Sequence, residues 1–451
     1  MSRIRATLVS ARDLTLTVGP FVALAVALLA GAYFVLKPTP PKRVVLATGP
    51  EQSAYAAFGE RYKAELRRHG IEVVLRPSPG SRENLRLLRN AKEDVDLAFV
   101  QGGSSESASA EKEAAEGLPL LSLGSLFYEP VWIFYREELA KQSKPPGAFT
   151  QLAQFRGLKV NVGARGSGSP GLFNRLLQDN LLERDAVVRS RLDLTPSVVA
   201  LLGAELDVVV MVSAPESPLV QMLLQTPGIL TYEFPQAEAY ARRRNFLSPV
   251  TLPRGVADLS RDVPARDIPL LATTTSLVTR EDTHPALQQL FVQAAAKIHS
   301  GGGWIARAGQ FPNARQSEFP LASEADRYYR TGRPVLQRYL PFWFANLIDR
   351  MWVALISIIA MLIPLSRVVP PLYAFRIRSR VFRWYRVLRE IEDRIKAEGA
   401  KHDDLLFRLD NLDSTVERVP LPLAYTDELY NLREHIKLVR EKLRAAMEPK
   451  T

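Results

Sequence analysis

The stretch GARGSGSPG, Gly163 to Gly171, follows the apolar run LKVNV and precedes LFNRLLQDNLL, which has the spacing of an amphipathic helix. Within it Gly166, Gly168 and Gly171 spell G-x-G-x-x-G, the pattern that lets a backbone cradle a dinucleotide pyrophosphate. An NAD(P)-binding oxidoreductase also needs an acid about 20 residues further on, at the end of the next strand, to hold the ribose hydroxyls. Glu183 and Asp185 have that offset but sit at the end of a helix, and Asp193 falls within a strand-like run. No acid-base set follows: His284 and His299 bracket or lie in one helix. The same backbone suits a small anion, because a helix N-terminus reached through glycines offers unpaired N-H donors, each contact contributing about 0.3 to 1 kcal/mol. Pro170 fits the first helical turn, where its missing N-H costs nothing.

The strand, glycine turn and helix repeat an earlier unit. RVVLATG reads as a buried strand, and EQSAYAAFGERYKAELRRHG as a helix with Tyr55, Phe58, Tyr62 and Leu66 on one face and Gly70 as its stop. IEVVLRP, SRENLRLLRN and DLAFVQ continue as strand, helix and strand, with Ser81 a candidate N-cap. After a polar segment, EPVWIFYR opens a second series that runs through LDVVVMV and SPLVQMLLQ to the late strand DIPLLATTTSLVTRE. The alternation predicts two α/β lobes on mainly parallel sheets, joined by crossing strands, with a cleft between them where helix N-termini converge.

Two apolar stretches flank this region. Leu14 to Leu36 carries no charge over 23 residues, enough to cross a hydrocarbon core of roughly 30 Å, and longer than the apolar core of a cleaved leader. The second begins near Leu347 and includes MWVALISIIAMLIPLS, with Trp343 and Trp352 at one end and Arg367 at the other. Arg376, Arg378, Arg380, Arg383, Arg386 and Arg389 follow it with no acid among them, which favours a cytoplasmic C-terminus. The expectation is a two-pass inner-membrane protein with both termini cytoplasmic and the large middle region in the periplasm.

The 451 residues carry a net charge of +11. Residues 1–42 account for +4, residues 43–350 for +3 and residues 367–451 for +4, so the excess lies beside the apolar stretches. That pattern points to a lipid bilayer and away from nucleic acid. The absence of cysteine removes thiolate chemistry, and His69, His284, His299, His402 and His435 show no metal-ligand spacing. No metal, cofactor or catalytic residue is expected.

Five stretches resemble one family in order and approximate spacing: LATGPEQSAY (46–55), PSPGSRENLRLL (77–88), VDLAFVQ (95–101), LKVNVGARGSGS (158–169) and LDVVVMVSAPESPLV (206–220). They resemble the TAXI-type solute receptors of TRAP transporters, over roughly residues 43–300. The resemblance implies a type II periplasmic-binding-protein fold that holds a small organic anion or an amino acid such as glutamate. It implies ligand contacts from Ser53, Tyr55, Ser81, Asn84 and Gln101, and from Ser167, Gly168 and Ser169 in the second lobe's turn. The sequence departs from the family at Pro50, Glu51 and Gln52, where glycines are usual, and at Arg165, which replaces a small residue and favours an anion.

The expected map is an N-terminus over 1–13, a membrane helix over 14–36, lobe 1 over 43–128 with a return segment at about 270–335, lobe 2 over 129–268, a second membrane helix over 347–372 and a cytoplasmic helical tail over 376–451. In the tail, Val381, Tyr385, Leu388, Ile391 and Ile395 share one helical face, and Leu429, Leu432, Ile436, Val439 and Leu443 another. A receptor feeding TRAP membrane subunits is the leading expectation, a tethered sensor signalling through the tail the alternative, and an oxidoreductase the least favoured.

Overall fold

The computed structural model describes residues 2–36, 39–106, 115, 117–143, 146–395, 402–417 and 425–447. Most of the polar segment after DLAFVQ, and residues 396–401, 418–424 and 448–451 of the expected tail, lie outside the described residues. The chain divides into two compact units: Thr39–Asn346, and Met1–Pro38 together with Leu347–Thr451.

In the larger unit the first strands are β1 (Arg43–Ala47), β2 (Glu72–Arg76) and β3 (Leu97–Gln101), paired in parallel with β1 in the centre. The helix Ala54–Arg67 buries Tyr55, Tyr62 and Leu66, and Ser53 caps it by accepting from the Ala56 N-H at 3.3 Å. Gly59 on the same helix allows close approach to the sheet, since a Cβ there would lie 2.8 Å from Thr48 Cγ2. The long strand β4 (Leu120–Arg136) then leaves the first lobe and enters the second.

The second lobe holds β5 (Lys159–Asn161), β6 (Val188–Ser190), β7 (Val208–Val212), β8 (Ile229–Thr231) and β9 (Leu247–Leu252), and β10 (Ile268–Arg280) returns to the first. The strand order is β2-β1-β3-β10-β4-β7-β5-β6, with β8 on β4 and β9 on β10. Parallel pairing holds at both flanks, but the centre is antiparallel, where the expectation was a mainly parallel arrangement. The cause is topological: β4 runs outward between the lobes and β10 runs back, so the two shared strands must oppose each other. β4 also starts nine residues before the expected EPVWIFYR, because LLSLGSLFY is itself buried on both faces and reads as unbroken core.

Each lobe has its own core. Tyr62, Phe99 and Phe291 lie in the first, and Tyr135, Phe155 and Phe173 in the second. Two α/β lobes sharing two long strands are the type II periplasmic-binding-protein plan.

The smaller unit is helical. Within Ser2–Leu36, residues Thr15–Val35 are long and apolar enough to cross a membrane, and a second such run begins at Met351 in the helix Phe342–Ser366. Large apolar side chains along both, among them Val22, Val26, Ile356 and Ile363, are exposed. The helices Val369–Ile395, His402–Glu417 and Thr426–Met447 pack around Val381, Leu388, Leu409, Leu412, Leu432 and Ile436. Leu405, Leu409, Leu412 and Val416 of the middle helix complete that core, so the two apolar faces read from the sequence meet a third.

Candidate ligand-binding cleft

Four helices begin at the space between the lobes: Ala54–Arg67 and Ser81–Arg89 from the first, Ser169–Asp179 and Leu194–Leu202 from the second. Their first residues line a cavity of about 60 Å3, floored by Glu129 of β4 and closed at one side by Ser213 after β7. A water needs about 10 to 15 Å3 by this measure, so the cavity suits a solute of a few heavy atoms. The lobes are in contact around it. The Glu83 N-H donates to the Gly166 carbonyl at 2.9 Å, and the Thr195 hydroxyl to Gln52 Oε1 at 2.6 Å. Gly80, at φ +136°, is required here, because a Cβ would lie 3.2 Å from Ser167 Cα in the facing lobe.

The nine residues expected to meet a ligand fall into three groups. Tyr55, Gln101, Gly168 and Ser169 line the cavity, and all but Tyr55, whose hydroxyl is engaged with Glu129 and Thr275, have capacity to spare. The Gln101 side chain is only 4% exposed, yet its carboxamide has no protein partner among the described residues. The buried Ser169 hydroxyl has none either, and Gly168 is glycine because a Cβ would overlap the Gln101 carboxamide. Ser53, Ser81 and Ser167 also line the cavity, but their hydroxyls are engaged. Ser53 caps its helix; Ser81 Oγ meets Ser104 Oγ at 2.8 Å and accepts from the Gln101 N-H at 2.7 Å; Ser167 donates to the Ala164 carbonyl. Neither Ser81 nor Ser169 is the N-cap of its helix: those positions are Gly80 and Gly168.

Asn84 and Arg165 lie outside the cavity wall. Asn84 is fully buried, donating to the Thr48 and Phe99 carbonyls at 2.8 and 2.9 Å and accepting from Ser78 at 2.7 Å. It ties the ends of β1 and β3 to the loop that carries Gly80, and so positions the cleft without facing it. Arg165 points into a separate cavity behind the Gly166–Gly168 loop. The loop's contact with Pro79 and Gly80 sets that direction.

Sequence reading missed Glu129, Asp193 and Ser213. Glu129 is the sole acid in the seventeen-residue β4 and is 3% exposed. Its Oε2 accepts from the Tyr55 hydroxyl at 2.8 Å and from the Thr275 hydroxyl, while Oε1 has no protein partner among the described residues. Burial drives its pKa up to about 7, with the bonds from Thr275 and Tyr55 opposing the rise. Burial, followed by the nearby Glu129 charge, raises the Tyr55 phenol well above its ordinary value, so Tyr55 stays a donor. Asp193, expected in a strand, instead precedes the helix Leu194–Leu202 and lines the cavity. Among the described residues the lining therefore carries two carboxyl groups and no lysine, arginine or histidine.

Comparison with known proteins returns several solved structures at low identity. The alkanesulfonate-binding protein SsuA from Xanthomonas axonopodis pv. citri aligns at 11% identity over 58% of this chain and 74% of that one, with a TM-score of 0.37. The periplasmic aliphatic sulphonate binding protein SsuA from Escherichia coli aligns at 14% identity over 71% and 83%, with a TM-score of 0.36. The regulatory domain of CcmR from Synechocystis aligns at 12% identity over 57% and 98%, with a TM-score of 0.37. No curated protein sequence matches. The sequence profile of the NMT1-like family matches residues 46–331, well over half the sequence. The chain belongs to the NMT1-like family.

Proposed function

We propose that the Thr39–Asn346 unit is an extracytoplasmic solute receptor that closes its two lobes around a small amino acid. The observation that carries this reading is the set of polar groups in the interlobe cavity that have no partner among the described residues: the Gln101 carboxamide, the Ser169 hydroxyl and Oε1 of Glu129. Buried polar groups are ordinarily paired, and an unpaired one costs about 1 to 3 kcal/mol, so a bound solute that pairs them is stabilised. The charge pattern selects among the expected ligands. Four helix N-termini favour a carboxylate, Glu129 and Asp193 favour an ammonium, and the lining has no basic side chain among the described residues to neutralise a bare dianion. A zwitterion satisfies both ends.

In this reading Ser53, Tyr55, Ser81, Gln101, Ser167, Gly168 and Ser169 form the binding wall, with Glu129 added and Asn84 as a positioning residue. Residues 14–36 and 347–372 hold the receptor in the inner membrane with both termini cytoplasmic, lobe 1 comprising residues 43–128 and about 270–335 and lobe 2 residues 129–268. Delivery to TRAP-type membrane subunits follows from the resemblance of the five stretches to TAXI receptors. The packed core of the three tail helices favours a second reading, in which residues 376–451 pass ligand state inward as a sensor.

The test is a thermal-shift screen of the detergent-solubilised full chain against amino acids, dicarboxylates and dinucleotides. Stabilisation by an amino acid is expected. Stabilisation by NAD alone would replace the receptor reading with the oxidoreductase one, and uptake surviving deletion of the tail would remove the sensor reading.

A further inference from the structure

Beside β4, where that strand passes from the first lobe to the second, lies a cavity of about 290 Å3 that shares no lining residue with the cleft. Its base is aromatic. Phe58 of the helix Ala54–Arg67, Phe127 of β4 and His299 at the end of the helix Pro285–His299 touch one another, with ring centroids 4.7, 4.6 and 5.5 Å apart. Phe311, edge-on to Tyr128 at 4.9 Å, adds a further ring to the wall. Burial pushes the His299 imidazole down to about 3, with a smaller push from Arg61, so at neutral pH it serves as an uncharged ring.

The rim is charged, with one sign from each lobe. Arg61 follows Phe58 by one helical turn, and its guanidinium carbon lies 5.3 Å from the centre of that ring. The acid one turn further on, Glu65, pairs with Lys297 at 2.8 Å and with Arg68 at 3.1 Å, and Arg61 has no ion-pair partner among the described residues. Glu216 stands in the turn between β7 and the helix Pro218–Gln225 of the second lobe. Its carboxylate lies over Gly303, where a Cβ would be 2.8 Å from Oε1, and it too has no ion-pair partner among the described residues. Both charged residues are exposed while Leu126, Phe127, His299 and Phe311 are buried, so the charges stand at the mouth and the rings below them.

A guanidinium and a carboxylate that do not pair with each other, at the mouth of an apolar pocket, complement the two ends of a zwitterion whose side chain enters the pocket. Rings at the base favour a guest ring, which they meet stacked or edge to face.

We propose that this cavity is an additional ligand site, for an amino acid with an aromatic side chain. Its carboxylate meets Arg61, its ammonium meets Glu216 and its ring packs against Phe58, Phe127 and His299. Bound there, it links a helix of the first lobe to a turn of the second, next to a strand that joins them. The inference does not depend on which solute the cleft takes.

The experiment is calorimetric titration of the full chain, in uncharged detergent, with L-phenylalanine as the probe. The wild type is expected to bind it, and Ser169→Asp, which blocks the cleft, to change that affinity less than about twofold. Arg61→Gln and Glu216→Gln, both at exposed positions, are each expected to weaken binding about fivefold or more. The same loss is expected for 3-phenylpropionate, which lacks the ammonium, and for phenethylamine, which lacks the carboxylate. Absence of binding by the wild type up to about 10 mM, loss of binding in Ser169→Asp, or unchanged affinity in either Arg61→Gln or Glu216→Gln would each overturn the site. None of these results bears on the small amino acids of the cleft, whose binding Ser169→Asp should remove.

Discussion

Two cavities share the wall formed by Gln101, Ser167 and Gly168, and they are electrostatic opposites. Among the described residues, the cleft side is small, with two carboxyl groups and no cation; the far side is several times larger, with four arginines and no acid. One thin loop separates them, so a residue's cavity depends on a single backbone direction. The difference teaches that the ligand's charge cannot be inferred from basic residues near the loop. The sign seen by a solute in the cleft is set by Glu129, buried on a strand far away in sequence, and by helix ends.

The largest expected effect breaks the cleft side directly. Ser169→Asp places a third carboxylate in a cavity of about 60 Å3 and should weaken amino-acid binding by about 100-fold or more in calorimetry. Unchanged affinity would remove this loop from the site. Next, Glu129→Gln keeps the shape and the bonds from Tyr55 and Thr275 but deletes the charge facing an ammonium. Amino-acid affinity should fall roughly tenfold to 100-fold, because a charge-assisted bond contributes about 1.5 to 3 kcal/mol. An increase would mean that the cleft prefers a simple anion.

The same substitution changes the pH dependence of stability, with a sign that can be worked out. Glu129 titrates near 7 when folded and near 4.5 when unfolded, so the folded state holds the proton more tightly and loses stability as pH rises between those values. The loss is on the order of 3 kcal/mol at its full extent. His299 works the other way: burial, with a smaller contribution from Arg61, pushes it down to about 3, so stability falls as pH drops from about 6.5 toward 3. Between about pH 4.5 and 6.5 the two slopes oppose each other. Glu129→Gln should therefore leave a thermal midpoint that rises with pH through this window, and His299→Phe one that falls. Parallel profiles in the two variants would contradict the assignment.

The smallest effect sharpens the contrast from the other side. Arg165→Gln should alter amino-acid affinity by less than about twofold at physiological salt, since its charge faces the second cavity and solvent. A loss comparable to that of Glu129→Gln would return Arg165 to the cleft.

Much of this molecule is legible in the sequence because period and punctuation agree. The strand, glycine turn and helix at RVVLATG and again at LKVNVGARG mark the two lobes, and Gln101 stands at a strand end where such clefts form. Asn84 was read as a ligand contact, although Ser81, Asn84, Leu85 and Leu88 follow the i, i+3, i+4, i+7 spacing of a buried stripe, which would have placed it inside the lobe. Arg165 was not legible, because its direction follows from contact between lobes distant in sequence. Glu129 was hidden by its setting, since a strand buried on both faces has no alternation to flag a polar position. Its signal was only its isolation as the lone acid in LLSLGSLFYEPVWIFYR.

The central claim, that the cleft holds a zwitterion between helix N-termini and Glu129, is tested most directly by titrating the full chain with matched pairs. Each pair is an amino acid and the carboxylic acid that lacks its amine. The account predicts that at least one amino acid binds and that its deaminated partner binds at least about tenfold more weakly. Equal or tighter binding of the deaminated acid would contradict it.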